Sequence, residues 1–276
     1  LLSFRPRALK PRIAVVEGLT DPTTGMMMGD TAERVARQFG IDRAAMDAFA
    51  LQSHQRAAAA QQAQRFARET APFVPGPDFR QAVVADDGVR AEQTEQALAK
   101  LKPVFDKREG DVTVGNACQI TDGATALLCM SLARCKQLGL PPLAIVRGTA
   151  TAALSPATMG LGPVHATPKA LAAAGLSFDQ LDLLEINEAF AAQVLGCVRA
   201  FADQDYCRRV LGLPDAIGRV DMDRLNKNGG AIALGHPIAA SGARLLLTLA
   251  HELRASGKRH GLATLCIGGG QGQAVV

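Results

Sequence analysis

Residues 226–244, NKNGGAIALGHPIAASGAR, decide how this chain is read. The glycines mark a loop: Gly229, Gly230 and Gly235 admit positive φ and let the backbone approach a ligand closely. Pro237 suits the first turn of a helix, and the apolar spacing after it predicts that helix over 239–255. His236 is thereby delivered to a helix mouth and not into a core. Two readings compete for such a histidine. It is either a loop imidazole bonded to a nearby carbonyl, or a proton-transfer group whose ring titrates near neutrality.

Two further stretches favour proton transfer. NEAFAAQ at 187–193 follows LDLLEI at 181–186, a buried strand by its apolar pattern, and opens a predicted helix. Asn187 thus stands at a strand-to-helix junction, where side chains and free N–H groups face a ligand above the carboxyl end of a sheet. An N-capping asparagine gives the same pattern. Glu188 reads as a first-turn acid favoured by the helix dipole, or as a partner of neighbouring site residues. CIGGGQG at 266–272 ends a strand-like run in three glycines. As a dinucleotide fingerprint it fails, because no helix follows it.

The GHP, NEAF and CIGGG motifs, in this order, resemble the thiolase family, enzymes that cleave or form 3-ketoacyl-CoA. MGDTAERVA at 28–36, SHQRAAAA at 53–60, RAEQTEQALAKLKPVFD at 90–106 and NACQITDGATALL at 116–128 extend the likeness over nearly the whole chain. The chain matches the last two-thirds or so of a thiolase. It opens without the front third, where thiolases carry a nucleophilic cysteine. The resemblance implies an α/β fold: a mixed sheet with helices on both faces, plus a helical loop domain and an incomplete first half. The expected division is a CoA-covering loop domain over 1–115, closing strands of the first half over 116–152, and the second half over 153–276.

Carried over residue by residue, the resemblance assigns four catalytic positions. His236 would deprotonate the nucleophilic thiol and donate a hydrogen bond to the thioester oxygen. Asn187 would hold a water as the second donor to that oxygen. Cys266 would protonate the departing enolate and later deprotonate incoming CoA. The Gly268 N–H would help stabilise the tetrahedral intermediate. Histidine and cysteine suit such exchange because their ordinary pKa values, about 6.5 and 8.5, bracket neutrality. Met27, Met28, His165 and Phe190 are candidates for contact with CoA. The ketoacyl synthases share the fold but use two histidines beside the nucleophile, so Cys266 with NEAF favours thiolase.

Composition narrows the alternatives. Net charge is +4 from 30 basic and 26 acidic residues, and aromatics are 4% with no Trp. That is too little excess charge and too few stacking rings for nucleic-acid binding. The one tight basic run is Arg5, Arg7, Lys10 and Arg12. Six cysteines show no CxxC pair and no metal spacing, so they read as free thiols of a reducing compartment, with Cys118, Cys129, Cys135 and Cys197 as core packing. No stretch is long and apolar enough to span a membrane. Elsewhere the pattern predicts an irregular start over 1–28, a helix from a cap at Asp30 or Thr31 to Gly40, and a second from Asp42 to about residue 69 with His54 solvated or helix-bonded on it. Strands are predicted over 112–114, 122–130 and 143–149, and a helix capped near Thr167 with Pro168 in its first turn and His165 just ahead.

The expected activity is thiolytic cleavage of 3-ketoacyl-CoA to acetyl-CoA and a shortened acyl-CoA, in the manner of the thiolase subunits of fatty-acid oxidation complexes. CoA and acyl-CoA enter as substrates, with no resident cofactor or metal. The resemblance implies a homodimer or homotetramer, a possible multifunctional β-oxidation partner subunit, and a cytoplasmic site, with mitochondria as the alternative. The other reading is a non-catalytic CoA-binding or subunit-interaction protein without the nucleophile.

Overall fold

The computed structural model describes residues 13–276, so the basic run of Arg5, Arg7, Lys10 and Arg12 lies outside the described residues. Helix α1, Ala14–Gly18, occupies part of a stretch expected to be irregular. Helix α2, Met28–Phe39, starts ahead of the cap expected at Asp30 or Thr31. Asp30 lies within the first turn, and its carboxylate reaches back to accept the Met27 N–H at 2.8 Å. Gly40 stops the helix at φ +61°, as its sequence predicts. Helix α3, Arg43–Gln62, is capped by Asp42 through the Ala45 N–H at 2.8 Å and ends short of the expected residue 69. Helices α4, Glu95–Ala99, and α5, Leu132–Gln137, are short.

The strands expected over 112–114 and 122–130 do not form. Among the described residues, this stretch finds only an isolated bridge, Ala117 to Phe190, and it leaves Ile120 and Leu128 87% and 82% exposed. Alternating apolar residues define the faces of a strand, but a ladder also needs a neighbour. The next strand is shifted likewise: β1 is Thr149–Ala153 instead of 143–149.

The remaining elements form the layered part of the molecule: α6 Gly162–Ala174, β2 Leu183–Ile186, α7 Ala191–Ala202, α8 Gln204–Tyr206, α9 Ala231–Leu234, α10 Ser241–Ser256, β3 Gly261–Ile267 and β4 Gln271–Val275. The strand order is β1-β4-β3-β2, with β2 and β3 parallel and the other pairs antiparallel. Alternation along β3 assigns its faces. Leu262 and Cys266 join the large core with α2, α3, α6 and α7, whereas Ala263 and Leu265 pack with Leu245 and Leu249 of α10. Helices therefore cover both faces of a mixed sheet, the α/β arrangement expected. Helix α6 begins at Gly162 and not near Thr167, so Pro168 lies inside it, where it forgoes one i→i−4 bond.

Helix α6 reaches the sheet through a backbone-to-backbone approach. A Cβ on Gly272 of β4 would overlap the carbonyl of Gly162. Gly272→Ala must push the two main chains apart, since no flexible side chain can yield. We expect a loss of about 3 kcal/mol, read as a lower urea midpoint at unchanged m-value.

The cysteines divide differently from the expectation. Cys197 is buried, but Cys129 is exposed, and Cys118 and Cys135 are half-buried. The unformed strand around 122–130 takes Cys129 with it.

Candidate active site

Parallel β2 and β3 carry two of the motifs to one edge of the sheet. Ile186 pairs with Thr264, and beyond it the Asn187 N–H donates to the Thr264 carbonyl at 3.0 Å. Two residues further on, β3 presents Cys266. Helix α7 begins only at Ala191, with Phe190 as its cap residue. Asn187 is therefore not an N-cap, and residues 187–190 form a loop across the strand ends. Ala189 accepts the Cys118 N–H at 3.0 Å, and the Ala191 N–H meets Asn116 at 2.9 Å, so segment 116–118 holds that loop from the other side.

The GHP loop meets this edge through its histidine. Helix α10 starts at Ser241, later than expected, and Gly235 at φ +93° ends α9. His236 sits between the two helices. Its Nδ1 lies 2.6 Å from Ser241 Oγ, and its Nε2 lies 3.3 Å from Asn187 Nδ2. The tautomer follows from donor counting. Ser241 spends its single hydroxyl proton on the Pro237 carbonyl at 3.1 Å, so it accepts from Nδ1–H. Nε2 is then the lone pair, and the Asn187 amide nitrogen faces it. Burial, with the Arg244 charge second, lowers the imidazole pKa to about 4, so the ring is neutral at pH 7.

Ser241→Ala removes the acceptor that fixes this tautomer. We expect kcat for the reaction proposed below to fall about tenfold. The His236 ring nitrogens should shift toward a mixture of tautomers in 15N spectra, while Ser241→Thr restores a single form.

Cys266 is buried at the end of β3, opposite Gly272 in the ladder. Burial pushes its thiol up to about 12, and a neighbouring charge on Cys118 would push the same way. It is therefore a held proton and not a standing thiolate. Cys118, read from sequence as core packing alone, borders the same place, with its own thiol raised to about 11, chiefly by burial. Beyond Cys266, the Met28 methyl lies 3.3 Å from where a Gly268 side chain would begin. Of the two methionines singled out, Met28 thus reaches the CIGGG turn, while Met27 serves as the N-cap residue of α2.

The other histidine and the phenylalanine among the candidates pack against neighbouring rings. His165 lies within α6 and not ahead of it, half-buried, with Nε2 at 3.2 Å from the Tyr206 hydroxyl. Phe190 is buried edge-on against Phe105, with ring centres 6.0 Å apart. His54, read as solvated or helix-bonded, is buried and accepts the Arg90 N–H on Nδ1 at 3.2 Å. Its pKa drops to about 4, mainly through burial. Among the described residues, no group of His, Cys, Asp or Glu is placed to hold a metal, and no helix is long and apolar enough to cross a membrane.

Several residues that shape the site lie inside the quoted stretches without a role that their type announces. Ser241 looks like any helix serine. Thr121, whose hydroxyl accepts the His236 N–H at 3.3 Å, lies more than a hundred residues away in sequence. Arg244 pairs at 3.7 Å with Glu185, a buried β2 carboxylate that burial raises to about 8.

Known proteins resemble the chain over most of its length. The chain matches the N-terminal domain of thiolase over residues 5–133 and the C-terminal domain of thiolase over residues 140–276. It is 50% identical over 265 residues to an acetyl-CoA acetyltransferase of Chromobacterium violaceum, covering 95% of this chain and 62% of that one. It is 43% identical over 274 residues to a 3-ketoacyl-CoA thiolase of Yersinia pestis, covering 99% and 63%. Among solved structures, the Bacillus anthracis acetyl-CoA acetyltransferase superposes with a TM-score of 0.85 at 40% identity, covering 96% of this chain and 63% of that chain. Human mitochondrial 3-ketoacyl-CoA thiolase in complex with CoA gives 0.82 at 37%, covering 100% and 65%. The chain thus spans less than two-thirds of the length of these relatives. Both domain matches, the fold and the three converging motifs agree: the chain belongs to the thiolase family.

Proposed function

We propose that the protein carrying this chain is an acyl-CoA C-acyltransferase that cleaves 3-ketoacyl-CoA by thiolysis. One observation carries the reading: the neutral His236 ring, its Nδ1–H committed to Ser241, turns an Nε2 lone pair toward Asn187 at the edge where Cys266 stands one residue short of the end of its strand. A thiol presented there loses its proton to Nε2, and the sulfur attacks the 3-keto carbon. The C2–C3 bond breaks, and its electron pair passes to the acetyl-CoA enolate. Cys266 S–H protonates that enolate carbon. The Cys266 thiolate then takes the proton of incoming CoA, whose sulfur displaces the acyl group from the first sulfur, and that departing thiolate recovers its proton from His236 Nε2–H.

Protonation changes the role of His236. Once Nε2 carries a proton it no longer accepts from Asn187, and the Nε2–H and a water held by Asn187 become donors toward one point. An enolate or thioester oxygen at that point gains two preorganised hydrogen bonds. The Gly268 N–H, in the turn under Met28, completes the set for the tetrahedral intermediate.

The same reading takes acyl-CoA and CoA as substrates in the degradative, β-oxidation direction, with no resident cofactor. A homodimer or homotetramer and a multifunctional β-oxidation subunit are its partners. Six free cysteines support a reducing compartment, the cytoplasm. The test is thiolysis by the intact gene product, followed as CoA-dependent loss of 3-ketoacyl-CoA absorbance across chain lengths. Turnover supports the proposal. Binding of CoA without cleavage of any 3-ketoacyl-CoA overturns it in favour of a binding protein.

A further inference from the structure

Glu188 is a fully buried carboxylate, 1% exposed, with both oxygens engaged. Oε1 accepts from Asn226 Nδ2 at 2.8 Å, and Oε2 accepts from Ser53 Oγ at 2.6 Å and from the Ile232 N–H at 3.2 Å. These donors belong to three separate stretches of the chain: α3, the turn after 225, and the first turn of α9. Ser53 is buried too, and its Oγ accepts the Gly230 N–H at 3.2 Å.

The partners have a common destination. Helix α9 has glycine as its N-cap residue and so carries no side-chain cap of its own. Its free N–H groups are satisfied from outside, that of Ile232 by Glu188. Gly230 is pressed so closely onto this carboxylate that a Cβ there would overlap it, and a Cβ on Gly229 would crowd Ser53 and Ala57 of α3. Residues 229–234 are thus wedged between Glu188 and α3, and the segment they lead into is Gly235-His236. Glu188 also follows Asn187 directly. One carboxylate therefore fixes both the loop that carries Asn187 and the short helix that leads into His236.

We infer that Glu188 is a positioning residue: through Ser53, Asn226 and the Ile232 N–H it sets the separation of Asn187 and His236, and it ties that separation to the seating of α3. The Asn187–His236 contact spans two motifs 49 residues apart, and a shift of either loop opens it. A neutral amide at 188 cannot serve. It offers one acceptor oxygen where three donors converge, and its NH₂ faces a donor.

The catalytic arm of the test rests on the thiolysis proposed above. In the intact protein, Glu188→Gln should lower kcat about a hundredfold with KM within about twofold, because a misplacement of about 1 Å costs that much without weakening ground-state binding. Ser53→Ala should lower kcat about tenfold, and the double variant should be no slower than Glu188→Gln, since the Ser53 hydroxyl acts through its bond to Glu188. Ser53→Ala guards against a Glu188 variant that does not fold. A second readout is independent of turnover: the His236 ring 15N signals should broaden or shift in both variants. Wild-type kcat, or additive losses with unchanged His236 signals, overturns the inference. If wild-type protein shows no thiolysis, the functional reading falls alone, and the ring signals still decide the role of Glu188.

Discussion

Replacing His236 with alanine should reduce kcat/KM for thiolysis at least a thousandfold, while CoA binding stays within about twofold. General base catalysis by one positioned group contributes about 10²–10⁴, and here the same ring later serves as an oxyanion donor, so both contributions are lost together. The pH profile is the sharper check. An ordinary histidine base would begin to lose activity below 6.5, but burial holds His236 near 4. The acid limb of kcat/KM assigned to His236 should therefore lie near 4, and a limb near 6.5 that vanishes in the variant would contradict the buried, neutral ring. Stability carries the same sign. Below 6.5 the unfolded ring takes up a proton that the native ring refuses, so folding stability is lost as pH falls from 6.5 toward 4. His54, also held near 4, adds to this loss and remains in the variant. His236→Ala should lose less stability than wild type across that window, measured by denaturant midpoints at several pH values.

The site is legible in the sequence where its elements are punctuated locally. Gly235 and Pro237 bracket His236, a strand-like run leads to Asn187, and three glycines follow Cys266. Each of these is a short-range signal, and the structure brings all three loops to one sheet edge. Contacts between loops are not encoded in this way. Ser241 fixes the tautomer only because α10 starts at 241 and not at 239, which turns its hydroxyl back onto the ring. Glu188 reads from sequence as a first-turn acid, yet α7 starts three residues later, and the carboxylate turns inward to meet Ser53 from 135 positions away.

Asp30 lies in the first turn of α2 instead of capping it, because an acid can serve at more than one position there, whereas Pro168 sits well inside α6. At 112–114 and 122–130 the alternation typical of strands is real, but no ladder forms among the described residues. The burial of His54 and the exposure of Cys129 follow from which neighbours arrive, and hydrophobic periodicity does not encode that. By contrast, β2 and β3 have apolar residues on both faces and are readable, because a strand buried on two sides needs no choice of face.

Cys266→Ser should lower kcat for thiolysis about a thousandfold, and the loss should fall on proton transfer to carbon. A buried thiol held near 12 is protonated at pH 7, so it can give its proton to an enolate. The thiolate left behind is costly in its apolar surroundings, and that cost drives it to reclaim a proton from CoA. Serine keeps the size and puts an O–H donor in place of the S–H. Its alkoxide is far less accessible still, so the acid gives its proton too reluctantly to match the enolate. The discriminating measurement is exchange of the acetyl-CoA methyl protons with deuterated solvent, which needs enolate formation and reprotonation but no C–C cleavage. Exchange should fall in parallel with kcat in Cys266→Ser, while the His236 ring signals stay at their wild-type positions. If exchange persists at the wild-type rate, the proton comes from another group. Cys118, whose charge is felt at Cys266, is the next thiol to substitute.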